Sequence, residues 1–318
     1  MKTIANGVIL LLLATLPALA APTAFNLSDF DGDGRSDVFW RNGTDGRNTI
    51  WRSANAATQR HVTAVTNTHW YVIGRGDFNG DGISDLLWQN DATGAMTIWR
   101  SANPTTQTGL SAVPAGWYVV GVGDFDGDGR SDLFWRNYDS GGTAIWRSAN
   151  RATPMTMFPA DFTWDMCGIG DFNGDGRSDV CWRDSSSGVN GIWFSANATT
   201  RQALPTVLGA WYVAGVGDFN GDGRSDLFWH NYDNDRNTIW LSANAYTQRS
   251  VPSTSDDWYA LQVGDFDGDG NSDVFWRNGR TGANLIYRAG NVPEVVQSAE
   301  AGWWVVPYEG QSGCGCWW

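Results

Sequence analysis

Short apolar runs alternate with Gly-, Asn- and Ser-rich breaks along almost the whole chain, and no helical apolar period runs through any stretch. In the stretch that opens at Trp117, four runs stand out: Trp117 to Phe125, Leu133 to Asn137, Thr143 to Ala149, and a weaker one around Met155 to Phe158. Their β-branched and aromatic content, and the turn residues between them, predict four strands. Pro104, Pro114, Pro154, Pro205 and Pro252 fall at turns or outer edges, where a missing donor costs least.

This pattern is one unit repeated. A nine-residue loop, Asp29-Phe-Asp31-Gly-Asp33-Gly34-Arg-Ser-Asp37, returns at Asp77, Asp124, Asp171, Asp218 and Asp265, in steps of 48, 47, 47, 47 and 47 residues. A period near 47 with several short strands per unit predicts an all-β propeller, with each loop between the first and second strands of its unit. The ends predict how the ring closes. Ala24 to Phe30 lacks the Trp-Tyr-Val half of a first strand, and Gly302-Trp-Trp-Val-Val306 supplies it. The two halves are expected to meet in one blade, giving six four-stranded blades. A seventh blade is the lesser alternative, since its loop would fall at Ser312 and none is there.

The loops carry the clearest chemistry. Oxygen side chains at positions 1, 3, 5 and 9 of a tight turn are what a hard cation such as calcium requires. The predicted ligands are Asp29, Asp31, Asp33 and Asp37; Asp77, Asn79, Asp81 and Asp85; Asp124, Asp126, Asp128 and Asp132. The second half of the ring offers Asp171, Asn173, Asp175 and Asp179; Asp218, Asn220, Asp222 and Asp226; Asp265, Asp267, Asp269 and Asp273. About six structural calcium ions are expected. Glycine at position 6, Gly34 in the first loop, serves the sharp bend. An EF-hand is excluded: position 12 is Trp in every copy, not a bidentate Glu, and the flanks are strand-like.

Charge follows from the loops. They hold 21 Asp of the chain's 34 acids, so six divalent ions would offset most of the net −13. No basic face remains for nucleic acid. Met1 to Ala20 reads as a signal peptide, with Lys2, an apolar run from Val8 to Leu16, and the small-residue site Ala18-Leu19-Ala20. That run is too short for a membrane span, so a secreted protein is expected, monomeric by default. The expected layout is a signal peptide at 1–20, a six-repeat propeller at 21–310 and a Cys/Trp-rich tail at 311–318. Cys167 and Cys181 flank one loop on opposite strands, where other units hold apolar residues. A cross-strand disulfide is expected, with two buried thiols as the alternative. Cys314 and Cys316 are too close for an easy mutual bridge.

Asp124-Phe-Asp-Gly-Asp-Gly-Arg-Ser-Asp132-Leu-Phe-Trp resembles the FG-GAP (VCBS-type) repeat of integrin α-subunit propellers and of many secreted bacterial proteins. The resemblance covers all six units. It implies a propeller with calcium in the loops between first and second strands. The units are closer in length to those of propeller lectins than to integrin ones.

Candidate ligand contacts are the third-strand Trp51, Trp99, Trp146, Trp193 and Trp240, with Arg52, Arg100 and Arg147 following three of them. A Trp face stacks on a pyranose, Arg reaches its hydroxyls, and repetition around a ring supplies multivalency. Inter-blade packing is the competing role for the same rings. Catalysis finds little support: His61, His69 and His230 sit in unrelated registers without a Ser or Cys partner. The expected function is therefore binding, lectin-like recognition of extracellular or cell-surface glycans, with a protein-interaction or adhesion module as the alternative.

Overall fold

The computed structural model describes residues 28–157, 160, 163–255, 257–300 and 302–305. Six antiparallel sheets of four strands follow one another along the chain. Blade 2, the first built from one continuous stretch, runs Trp70–Gly76, Asp85–Asn90, Met96–Trp99 and Gln107–Gly109. Blade 3 comprises Trp117–Gly123, Asp132–Asn137, Thr143–Trp146 and Pro154–Met157. Blades 4, 5 and 6 repeat the order from Trp164–Gly170, Trp211–Gly217 and Trp258–Gly264. First strands of neighbouring blades pack against one another, so they line the axis.

Blade 1 closes the ring as the chain ends predict. Its sheet starts with Trp303–Val305, which pairs antiparallel with Val38–Asn42 through Trp40 to Val305 and Asn42 to Trp303. Its remaining strands are Asn48–Trp51 and Gln59–Val62. The N-terminal half-strand is described only from Ser28, whose carbonyl accepts from Asp37 N–H at 2.8 Å. Ala24 to Leu27, the predicted signal peptide and the tail lie outside the described residues. A buried bridge crosses this junction. Arg75 of blade 2 donates to Gln262 of blade 6 at 2.9 Å, and Gln262 donates to the Asp37 carbonyl at 2.7 Å. Gln262 stands where the other described first strands have Gly74, Gly121, Gly168 and Gly215.

The core lies between blades. Trp40, Trp88, Trp135, Trp182, Trp229 and Trp276 are fully buried. Each packs on the aromatic residue of the neighbouring third strand in its own blade, as Trp135 does on Trp146 at 4.5 Å between centroids. Across the blade boundary, Phe134 meets the edge of Trp182 at 6.1 Å. Gly123 marks a close approach of two blades: a Cβ there would lie 2.6 Å from Ser178 Oγ. A side chain at that position would force the blades apart.

One local expectation changes, and the expected disulfide is present. The third strand ends at Trp146 instead of Ala149; Arg147–Ala149 forms a 3-10 turn with Ser148 at φ 47° and Ala149 at φ 57°. Such left-handed residues cost about 1 kcal/mol each and need an anchor. The anchor is the loop itself: Ser148 N–H donates to Asp132 Oδ1 at 2.7 Å. Cys167 falls at the bulge between Met166 and Gly168 and forms a disulfide with Cys181, Cα to Cα 5.3 Å. Among the described residues, no helix is long and apolar enough to cross a membrane.

Candidate metal loops

Each loop is built on two carboxylates that organise backbone. In blade 3, Asp124 Oδ1 accepts from Gly127 N–H at 2.7 Å, and Oδ2 from Gly129 N–H at 2.8 Å. Gly129 has φ 81° and nothing within 4 Å of its would-be Cβ, so conformation alone selects glycine. Asp132, the ninth residue, accepts from Phe125 N–H at 2.9 Å as well as from Ser148. The same double role recurs at Asp37, Asp85, Asp179 and Asp226, and at Asp273 with Ala289 in place of Ser.

The loops also form a closed ring. The Ser N–H at position 8 of each loop donates to the position-1 Asp carbonyl of the preceding blade at 2.6–2.7 Å, ending with Ser36 to Asp265. Deforming one loop therefore strains its neighbours.

Carboxylate oxygens converge within 4.8 Å in three loops: Asp29, Asp31 and Asp33; Asp124, Asp126 and Asp132; Asp265, Asp267 and Asp269. These are the copies with Asp at position 3. In the other three, Asn79, Asn173 and Asn220 donate to Asp81, Asp175 and Asp222 at 3.0 Å. Burial pushes the Asp132 carboxyl up to about 7, as it does Asp37, Asp179 and Asp226, against the pull of two backbone N–H groups; loop carboxylates nearby add to the rise. Asp85 and Asp273 rise to about 6.

A calcium ion fits this donor set. The donors are hard oxygens, the ring is short of positive charge, and Asp126 Oδ1 is buried without a hydrogen-bond partner. Oxygens that already accept one N–H keep a second lone pair for an ion. Acidic clusters that could hold metal ions are thus present in the folded chain.

The sequence matches the FG-GAP-like repeat over residues 77–135, 171–229 and 218–276, together more than half of the chain. The chain belongs to the FG-GAP-like repeat family. No curated protein matches the sequence. The FG-GAP-like propeller is similar in fold to a chain of the nidogen/laminin complex, with TM-score 0.53 and 12% identity over 85% of this chain and 96% of that one. It is also similar to virginiamycin B lyase from Staphylococcus aureus, with TM-score 0.50 and 8% identity over 86% and 89%. At such identities the likeness concerns the fold.

Within the FG-GAP-like units, the residues expected to meet a ligand have other neighbours. Trp51, Trp99, Trp146 and Trp240 are buried, and Trp193 is half-buried. Their rings lie 4.5–5.1 Å from the second-strand Trp, so each packs within its own blade. Arg52 and Arg147 are in the turn after the strand and reach back to the loops, Arg52 Nε to Asp31 at 3.1 Å and Arg147 Nε to Asp126 at 3.5 Å. Arg288 does the same to Asp267 at 3.6 Å. Where position 3 is Asn173 or Asn220, the matching residue is Phe194 or Leu241, so in these copies the arginine is absent together with the position-3 carboxylate. Arg100, in the copy that carries Asn79, is exposed.

A second set of arginines escaped sequence reasoning. Arg41, Arg136, Arg183 and Arg277 follow the buried second-strand Trp and lie 5.0–5.4 Å over the equivalent Trp of the next blade. Arg183 also donates to Val207 O at 2.9 Å, Trp211 O at 3.1 Å and Asn190 Oδ1 at 2.8 Å, tying blade 4 to blade 5. The Trp-Arg-Asn that follows three of the loops, at Trp40, Trp135 and Trp276, with Trp182-Arg183-Asp184 after a fourth, was the available signal.

Proposed function

We propose that this FG-GAP-like propeller is a secreted, calcium-loaded binding module whose ligand is an extracellular or cell-surface glycan. The observation that carries the calcium part is the closed ring of loops, with ninth carboxylates driven up to about 6–7 when no cation offsets them. A divalent ion in each loop offsets the cost of burying those carboxylates beside one another and fixes the turn that Ser148 and its counterparts depend on. Calcium in this reading is structural, and the ligand site depends on it through the rigidity of the ring.

Binding in preference to catalysis rests on the uniformity of the blades. His230 is buried against Asn237, and His69 pairs with Asp91 at the surface of another blade; neither faces a nucleophile. A protein partner is the second reading, favoured by the likeness to a propeller crystallised in the nidogen/laminin complex. A glycan array probed with the mature chain, in calcium and in chelator, separates them. Reproducible binding to one sugar family, lost in chelator, supports the glycan reading. A blank array from folded, calcium-loaded protein refutes it and leaves the protein partner to be sought by pull-down.

A further inference from the structure

The repeat places a second feature at the opposite end of the ring. The residue after each first-strand Trp is Tyr71, Tyr118, Asp165, Tyr212, Tyr259 and, in blade 1, Trp304. In blades 2 to 6 this residue begins an axis-lining strand whose other end is the acidic loop; five residues of strand lie between Tyr71 and Asp77, which are about 20 Å apart. Tyr71, Tyr118, Tyr259 and Trp304 are open to solvent, Trp304 60% exposed and Tyr118 54%, while Tyr212 and Asp165 are half-buried. Tyr138 and Tyr232, just past the second strands, extend the feature, with Tyr138 5.8 Å from Tyr118 and Tyr232 6.5 Å from Tyr212. The result is a crown of aromatic rings around one mouth of the propeller, in five of the six blades.

Polar groups alternate with these rings. Tyr71 Oη donates to Gln89 Oε1 at 3.1 Å, and His69 Nδ1 meets Asp91 at 2.7 Å beside it. Tyr138 lies over the Arg136 guanidinium at 5.1 Å, and Tyr212 stands edge-on to His230. In blade 4, which has no crown aromatic, Asp165 occupies the position.

We infer that this crown is the ligand surface of the module, and that its ligand is a neutral polysaccharide. The inference rests on the glycan reading above and moves the contact from the buried third-strand Trp to the opposite mouth. Separate ring faces, repeated by symmetry, match the apolar faces of successive sugar units. Gln89, Asp91 and Asp165 offer acceptors for hydroxyls. The two carboxylates among them also disfavour an anionic polymer. Weak contacts repeated in five blades then add through multivalency.

The test is affinity electrophoresis of the calcium-loaded chain through gels containing dextran, galactomannan, xyloglucan or alginate. The crown variant is Tyr118→Ala with Trp304→Ala; Tyr246→Ala, exposed on the outer side of blade 5, is the control. The expected result is retardation of wild type and control by a neutral polysaccharide, with association at least about tenfold weaker in the crown variant. Both variants should melt like wild type, which separates lost contact from lost fold. Undiminished retardation of the crown variant overturns the crown and leaves the glycan reading standing. Retardation by alginate alone overturns the neutral ligand. No retardation of wild type by any gel removes both readings, and a protein captured through Tyr118 and Trp304 in that case assigns the crown to a protein.

Discussion

Replacing Arg183 by Met should destabilise the ring far more than its place in a surface-rich repeat suggests. The side chain is buried, and its guanidinium donates to Asn190 Oδ1, Val207 O and Trp211 O while lying 5.4 Å over Trp229. Met fills similar volume but leaves three acceptors without this donor, at about 1–3 kcal/mol each. Relief of a buried charge returns part of that cost, since its desolvation is no longer required. Loss of the stack on Trp229 adds about 1 kcal/mol. The net expectation is about 3–5 kcal/mol. Arg183→Gln should cost roughly half of that, because blade 2 carries Gln89 in the same register. Arg236→Met, on an exposed turn, should stay within about 0.5 kcal/mol. The assay is urea unfolding at saturating calcium, followed by Trp fluorescence and checked by circular dichroism for coincident transitions. A cost below about 1 kcal/mol for Arg183→Met would refute the view that these arginines tie blade to blade.

Removing the disulfide with Cys167→Ala and Cys181→Ala, 14 residues apart, should lower stability by about 3 kcal/mol, read as a urea midpoint shift reproduced by reductant on wild type. Gly123→Ala should cost about 1–3 kcal/mol through the clash with Ser178 Oγ, and Ser178→Ala in the same chain should recover part of it. In chelator, Asp37, Asp132, Asp179 and Asp226 have folded values near 7, and Asp85 and Asp273 near 6, all above their unfolded range. Their stabilising contribution is then complete below about pH 4 and lost as pH rises through 6–7. Metal-free protein should melt higher at pH 5 than at pH 8, and the rise in melting temperature on adding calcium should grow over the same interval; a metal-free melt that climbs with pH would contradict this.

The fold was legible because the repeat declares itself twice, in the loop carboxylates and in the strand pattern around them. Closure was legible too: Trp303 to Val305 carries the half-strand that precedes Phe30, and it pairs where that predicts. The disulfide followed from two apolar registers changing together at Cys167 and Cys181. Sequence pattern could not decide what a repeated Trp faces. Trp51 and Trp146 recur as a ligand contact would, yet recurrence is equally the mark of a core position, and there they pack on Trp40 and Trp135. The end of the third strand was misjudged because Arg147-Ser148-Ala149 has no glycine to announce a left-handed turn. A carboxylate 16 residues upstream holds it instead. Arg183 and its counterparts act across blade boundaries, and such partners are invisible until the ring is closed.

The most direct test of the account is a count of calcium. Equilibrium dialysis of chelator-stripped protein against calcium, read by elemental analysis and paired with melting curves, should find about six ions per chain, one for each oxygen-rich loop. The loops with Asn79, Asn173 and Asn220 should fill at higher calcium than those with Asp31, Asp126 and Asp267, and the melting temperature should rise as sites fill. A folded chain that binds no calcium, or whose melting is the same in calcium and in chelator, would contradict the claim that these loops are metal sites that hold the ring together.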